Sequence, residues 1–250
     1  MKTILITGAS SGIGQAVVER FASQDVCLLL VGRNQEKLQH LAQKLPGKNQ
    51  LIPLDLTDLA AVQKIPARYK IDYLINCAGV GEVGDFQELS LAQELAEIET
   101  NFLAPMILSK GYAQQFVQQK SGTIVNVCST AAFYVHPFLT SYGASKAALW
   151  HFSLGLSEEL RAYPHVQVLT VCPGPTKTAF FQGKMQIAFQ KNNFQMAPEK
   201  VAEVIEKVLT KNKNHQIIGY RNWWMTQLIR CLPIKLRLKI VGNYIKQGRM

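Results

Sequence analysis

Thr7-Gly8-Ala9-Ser10-Ser11-Gly12-Ile13-Gly14 follows the apolar run Ile4-Leu5-Ile6 and precedes a helix-like pattern from about Gln15. The order is strand, glycine-rich turn, helix. Glycine accepts the dihedral angles of a tight turn and lets backbone approach a ligand closely. The unpaired amides that open a helix face an anion, so the arrangement suits a pyrophosphate. The spacing G-x-x-x-G-x-G is one residue longer than the usual dinucleotide fingerprint. By itself it fits an ordinary strand–helix turn as well.

Working outward, residues 2–7 read as the first strand, and 12–24 as a helix with Ile13, Val17, Val18 and Phe21 on one side. Val26 to Val31 is a continuous apolar run, the pattern of a strand buried on both faces. Asn34 caps a helix to about Leu45, Asn49 to Leu54 is a third strand, and Asp58 caps the next helix. Ile71 to Ile75 is a fourth strand. A helix from about Ser90 breaks near Glu97, and another runs from about Glu99 to Gln119. Thr123 to Cys128, Val166 to Val171 and His215 to Ile218 complete the strands. Ser141 to Ala162 and Pro198 to Leu209 are the helices between them. This alternation predicts an α/β fold of the Rossmann type, a doubly wound parallel sheet with helices on both faces. Thr7, Gly32, Asp55, Asn76, Ser129 and Pro173 each end a strand, which places them along one crevice at the carboxyl edge of the sheet.

With 250 residues and 48% hydrophobic content, the chain supports one large domain with a buried core. No run reaches the roughly 18 apolar residues of a membrane span. No signal-peptide pattern precedes the first strand. Cys27, Cys77, Cys128 and Cys172 lie in apolar runs, as buried thiols of a reducing compartment do, so a cytoplasmic protein is expected. His40, His136, His151, His165 and His215 are scattered without metal-ligand spacing, and no metal is expected. The net charge of +10 is uneven. Residues 1–206 hold 17 basic and 17 acidic residues, and the remainder holds 10 basic and no acidic ones. That distribution marks a local surface, and no recognition motif supports nucleic acid as the partner.

Tyr142 and Lys146 stand four apart in a predicted helix and share a face. A lysine ammonium favours the phenolate of a neighbouring tyrosine, so the pair suits proton exchange with a carbonyl or alcohol oxygen. Alone, such a pair fits a structural role. Together with Thr7 to Gly14, Asn76-Cys77-Ala78-Gly79, Asn101, Ser129, Tyr142 to Lys146, and Pro173-Gly174 with Thr178, it resembles the short-chain dehydrogenase/reductase (SDR) family over about residues 1–210. The resemblance implies Tyr142 as proton donor and acceptor, and Lys146 as the group that lowers its pKa and holds the nicotinamide ribose. It implies Ser129 as the partner of the substrate oxygen and Asn101 as the residue that orients a water. Gly8, Ser10, Ser11, Gly12, Ile13, Gly14, Asn76, Ala78, Gly79, Pro173, Gly174 and Thr178, and with them Tyr142 and Lys146, fall at the family's cofactor positions. Cys77 and Cys128 depart from the family's usual residues without removing any of the four.

The end of the second strand reads Val31-Gly32-Arg33, with no carboxylate before Glu36. A carboxylate there would repel a 2′-phosphate, whereas Arg33 can bind one, so NADP(H) is the expected cofactor. Arg33 also fits a solvated surface position. Asp55 resembles the residue that meets the adenine, and fits a turn cap equally.

Residues 174–197, with Phe180, Phe181, Phe189 and Phe194, read as a substrate lid or as an aromatic-packed loop. The reading is thus a catalytic domain at 1–220, including that segment, and a basic amphipathic helical extension at 221–250. The extension carries Trp223, Trp224, Met225, Leu228 and Ile229, then Pro233, then Ile234, Leu238, Val241 and Ile245 on one face with Lys235, Lys239 and Lys246 opposite. This pattern fits a peripheral membrane contact. It fits packing against the domain or a partner subunit as well. The resemblance adds a homodimer or homotetramer built through helices 99–119 and 142–162. The expected activity is interconversion of a carbonyl and an alcohol on an apolar ketone, aldehyde or secondary alcohol. The alternative is a non-catalytic dinucleotide-binding scaffold or sensor at a membrane or partner protein.

Overall fold

The computed structural model describes residues 1–180, 195–211 and 215–249. Among the described residues seven strands form one parallel sheet in the order β3-β2-β1-β4-β5-β6-β7. They are β1 Lys2–Thr7, β2 Val26–Gly32, β3 Lys48–Pro53, β4 Tyr73–Asn76, β5 Gly122–Val127, β6 Val166–Cys172 and β7 His215–Ile217. The order reverses between β1 and β4, which opens the ligand crevice of a doubly wound sheet beyond their carboxyl ends.

The α-helices among the described residues are α1 Gly12–Phe21, α2 Gln35–Ala42, α3 Leu59–Arg68, α4 Leu91–Ile98, α5 Ala104–Gln119, α6 Thr140–Glu159, α7 Pro198–Lys211, α8 Tyr220–Cys231 and α9 Ile234–Arg249. Asn34 and Asp58 cap α2 and α3 as expected, accepting from the Lys37 and Ala61 amides at 2.8 and 3.0 Å. Each cap satisfies an amide that the helix itself leaves open. α1 and α2 end earlier than the periodicity predicts, at Phe21 and Ala42. The break foreseen near Glu97 is instead a π-helical turn, Glu99–Leu103, which carries α4 into α5 without interruption.

Two cores flank the sheet. Ile4, Ile6, Val17, Val18, Leu30, Leu169 and Val171 pack with α1 and α7 on one face. Leu5, Leu74, Tyr112, Phe116 and Ile124 pack with α3 and α5 on the other. Alternate residues of β1 thus serve opposite cores, as the two-residue period of a strand requires. A third, small core joins Leu139 to Val241 and Ile245 of α9, with Val83, Phe138 and Tyr142 at its margin. Hence only part of the predicted apolar face of α9 is buried. Ile234, Leu236, Leu238, Ile240 and Tyr244 remain exposed, as do Trp223, Trp224, Met225 and Leu228 of α8. Among the described residues no helix is long and apolar enough to cross a membrane.

Candidate active site

The turn after β1 is built for close approach. Gly8 and Gly12 adopt φ of 68° and 53°, the left-handed region that side chains disfavour. A Cβ at Gly14 would lie 2.1 Å from the Gly8 carbonyl oxygen, and one at Gly8 would lie 2.8 Å from Ala78 Cα. Ser11 opens α1 without a side-chain cap, and the first turn of the helix holds no acidic residue. Its open amides and positive dipole end therefore face the crevice uncompensated, a cradle that fits a pyrophosphate. Gly14→Ala is expected to weaken dinucleotide affinity by about tenfold or more, which is about 1.4 kcal/mol. A fluorescence titration giving wild-type affinity would contradict that packing.

The other dinucleotide positions converge on this turn with one qualification. Ser10 Oγ lies against Gly32 at the end of β2, beside the exposed Arg33. Arg33 enters no ion pair among the described residues. Thr178 packs against Gly12. Ala78 closes on Gly8, and the Thr7 hydroxyl accepts from both the Cys77 and Ala78 amides at 3.1 Å. Pro173 accepts from the Thr130 amide at 3.0 Å, and Gly174 lies under the Asn222 side chain of α8. Asp55 accepts from the Thr57 amide and hydroxyl, both at 3.0 Å, so it forms a turn cap while remaining exposed. Asn76 is the qualification. Its side chain is buried and donates to Asn126, which donates in turn to Ser153, locking β4, β5 and α6 together.

Tyr142, Lys146, Ser129 and Asn101 gather at the same edge. α6 presents the first two one turn apart, and the Ser129 hydroxyl hydrogen-bonds the Tyr142 phenol. Ser129 Oγ also accepts from the Ala131 amide at 3.1 Å, which fixes its rotamer at the start of a 3₁₀ turn, Thr130–Phe133. Lys146 Nζ donates to the Val127 carbonyl at 3.2 Å and lies 6.0 Å from the centre of the Tyr142 ring. Asn101, inside the π turn, accepts from the Val80 amide at 2.9 Å. It donates to the Val80 carbonyl at 2.8 Å and to Ser145 Oγ at 3.1 Å. Phe180 meets the Tyr142 ring edge-on at 5.5 Å.

The electrostatics differ from the expectation drawn from spacing. Burial raises the Tyr142 pKa above the ordinary phenol value, and the bond from Ser129 only partly offsets this. Burial likewise lowers that of Lys146, which is 4% exposed. Desolvation of the charged form is the largest cause for each group, so in this environment the phenol is held protonated. His136 stacks on Tyr134 and contacts its carbonyl at 2.8 Å. Burial pushes it down to about 4. It is neutral at physiological pH.

The 174–197 segment is described only at its ends, since 181–194 lie outside the described residues, with Phe181, Phe189 and Phe194 among them. Those ends meet. Lys177 N donates to Met196 O at 2.9 Å and Met196 N to Pro175 O at 3.0 Å. Sequence reasoning missed Glu97, which is 1% exposed beside these groups. Its position four residues before Asn101, on the same helical face, was the available signal.

The family model for short chain dehydrogenases matches residues 2–187. The chain belongs to the short-chain dehydrogenase family. Membership makes it an NAD(P)(H)-dependent oxidoreductase that acts on carbonyl or alcohol substrates. This short-chain dehydrogenase is 32% identical over 230 residues to an NADP-dependent 3-hydroxy acid dehydrogenase of Schizosaccharomyces pombe, covering 85% of this chain and 88% of the relative. Its fold matches a short-chain dehydrogenase of Sphingobium yanoikuyae solved with NADPH (TM-score 0.81, 29% identity, 93% of this chain and 96% of that one). It also matches a bulky-bulky ketone specific alcohol dehydrogenase of Comamonas testosteroni (TM-score 0.77, 29% identity, 92% of each chain). Among the described residues no group of side chains could hold a metal ion.

Proposed function

We propose that this enzyme prefers NADP(H) and reduces apolar ketones or aldehydes, or oxidises the corresponding secondary alcohols. The observation that carries the reading is the crowding around Gly79. A Cβ there would meet Asn101 Oδ1, Phe180 and Lys146 Nζ, at 3.3, 3.4 and 3.5 Å. The end of β4, the π turn and α6 thus meet at one point beside the glycine turn.

NADPH supplies the hydride when bound. Tyr142 donates the proton to the carbonyl oxygen, and the Ser129 hydroxyl steadies the charge that develops there. Lys146 holds the ribose and refills Tyr142, and Asn101 fixes the loop at Val80 and orients a water. Gly8, Ser10, Ser11, Gly12, Ile13 and Gly14 hold the pyrophosphate, Arg33 the 2′-phosphate, and Asp55 the adenine. The backbone at Asn76, Ala78 and Gly79, together with Pro173, Gly174 and Thr178, flanks the nicotinamide.

An apolar substrate is supported by the surroundings of Tyr142, where Val83, Tyr134, Phe138, Leu139 and Val241 cluster. The Comamonas relative's bulky ketones and the yeast relative's NADP agree with the reading. NADPH oxidation is expected to be faster with aryl and long-chain ketones than with small charged carbonyls. The reverse order in a substrate panel sinks the apolar assignment.

Residues 1–220 form the catalytic domain of this reading, and 174–197 its lid. Residues 221–250 are an amphipathic extension resting on a membrane surface, in a cytoplasmic homodimer or homotetramer built through α5 and α6. The exposed Trp223, Trp224, Leu228, Ile234 and Ile240 beside Arg230, Lys235 and Lys239 support the membrane contact. Anionic phosphatidylserine vesicles are expected to sediment the protein at low salt, and neutral phosphatidylcholine vesicles to leave it in solution. Equal behaviour with both would remove the lipid contact.

A further inference from the structure

We infer that Glu97 is a second ionisable group of the active site, a positioning residue whose charge holds Lys146 as an ammonium behind Tyr142. The inference rests on the reading that Tyr142 and Lys146 carry the chemistry.

Glu97 lies in the last turn of α4, directly ahead of the π turn that carries Asn101. Both residues grip the same loop. Asn101 binds Val80 through its side-chain amide, and Glu97 Oε2 accepts from the Glu82 amide at 3.3 Å. Glu97 Oε1 is buried and has no hydrogen-bond partner among the described residues. A loop anchor needs one oxygen, and the second is left in a desolvated space where an unpaired acceptor is costly.

Lys146 is the other half of the argument. An ammonium taken out of water is kept charged by a counter-charge nearby. Glu97 is the carboxyl whose field reaches Lys146, alongside the thiols of Cys128, Cys172 and Cys77. Burial pushes the Cys172 and Cys77 thiols up, whereas the Cys128 thiol is lowered despite its burial by its bond with Cys172 and by the Lys146 charge, so Glu97 is the carboxyl beside a thiol pair. The groups facing Glu97 are Glu94 on its own helix, Glu82 on the loop, and Lys146 and Tyr142 on α6. Glu94 is itself held by the Ser141 hydroxyl, next to Tyr142.

Burial, opposed by the Glu82 amide and reinforced by the Glu94 and Glu82 charges, pushes the Glu97 carboxyl up to about 7. It therefore changes charge in a range where Tyr142 and His136 do not. Once ionised, Glu97 favours the Lys146 ammonium that stands behind a phenol already held protonated by burial. Once protonated, it leaves Lys146 without a carboxylate counter-charge. Carbonyl reduction should accordingly rise with an ionisation near neutrality.

The test is the pH profile of kcat/KM for ketone reduction from pH 5.5 to 9, with NADPH affinity and melting temperature measured beside it. Glu97→Gln keeps the size and the acceptor for the Glu82 amide and removes the ionisation. It is expected to lose the rising limb and about tenfold in kcat/KM at pH 8, as one displaced pKa unit implies, with NADPH affinity within about twofold of wild type. Glu97→Asp keeps an ionisable group and is expected to restore a rising limb at a shifted midpoint. This second variant decides the matter if Glu97→Gln folds poorly. A Glu97→Gln enzyme with the wild-type limb and rate, or a Glu97→Asp enzyme with a flat profile, overturns the inference and leaves Glu97 as a loop anchor. Undiminished turnover by Tyr142→Phe would instead bring down the reading of the site itself.

Discussion

Tyr142→Phe is expected to bind NADPH with wild-type affinity and to lose about 10²- to 10⁴-fold in turnover, the usual contribution of a positioned proton donor. The substitution removes one oxygen and keeps the ring. The edge-on contact with Phe180 and the apolar cluster at Val83 and Leu139 survive it. The Ser129 hydroxyl loses a partner but still accepts from the Ala131 amide. Lost turnover with intact affinity therefore reports chemistry and not folding. Stopped-flow reduction of an aryl ketone at saturating NADPH is the measurement. A variant within fivefold of wild type would move the proton donor to another group; His136, neutral and buried, is not such a group. The raised pKa of Tyr142 adds a directional consequence. Its phenol ionises at higher pH than an ordinary tyrosine, so the fall of reduction and the onset of oxidation should both shift together to higher pH.

Arg33→Glu is the second large effect. Arg33 is exposed at the end of β2, and no carboxylate precedes Glu36 to contest a 2′-phosphate. Removing a charge-assisted hydrogen bond costs about 1.5–3 kcal/mol, and replacing it with a like charge adds repulsion. NADPH should weaken by about 100-fold, by the usual relation between free energy and affinity. NADH carries no phosphate there and should be used as well as before, or better. The ratio of kcat/KM for the two cofactors, measured on one ketone, checks this. An unchanged ratio returns Arg33 to the role of a solvated surface residue and reopens the cofactor preference. Because NADH serves as the internal control, a folding defect cannot imitate the result.

The readings that succeeded from sequence are those set by neighbours along the chain. The Val26 to Val31 run could only be a doubly buried strand, and β2 occupies that stretch at the interior of the sheet. Asn34 and Asp58 cap because a short polar side chain can reach an amide three residues on. Tyr142 and Lys146 share a face because a helix returns after 3.6 residues. The π turn at Glu99–Leu103 was not legible. It inserts an extra residue into a helical turn and turns Asn101 onto Val80, and no local propensity announces it. Glu97 escaped notice for a related reason. A glutamate in an amphipathic helix reads as a solvent residue, and its burial comes from the 80–84 loop and α6 closing over it. The two ends of α9 make the same point. Val241 and Ile245 belong to the face predicted from periodicity, yet only these meet Leu139, while Ile234 and Leu238 on that face stay exposed.

By itself the sequence determined the alternation of strands and helices, the strand ends that line the crevice, and the identity of the groups brought there. Periodicity, capping and glycine spacing act over a few residues and survive any change in surroundings. Only the tertiary structure decided the protonation preferences of Tyr142, Lys146 and Glu97, the orientation of Asn101 and the partial docking of α9. Those depend on how much water each group loses and which charge stands beside it, and both are set by elements distant in the chain.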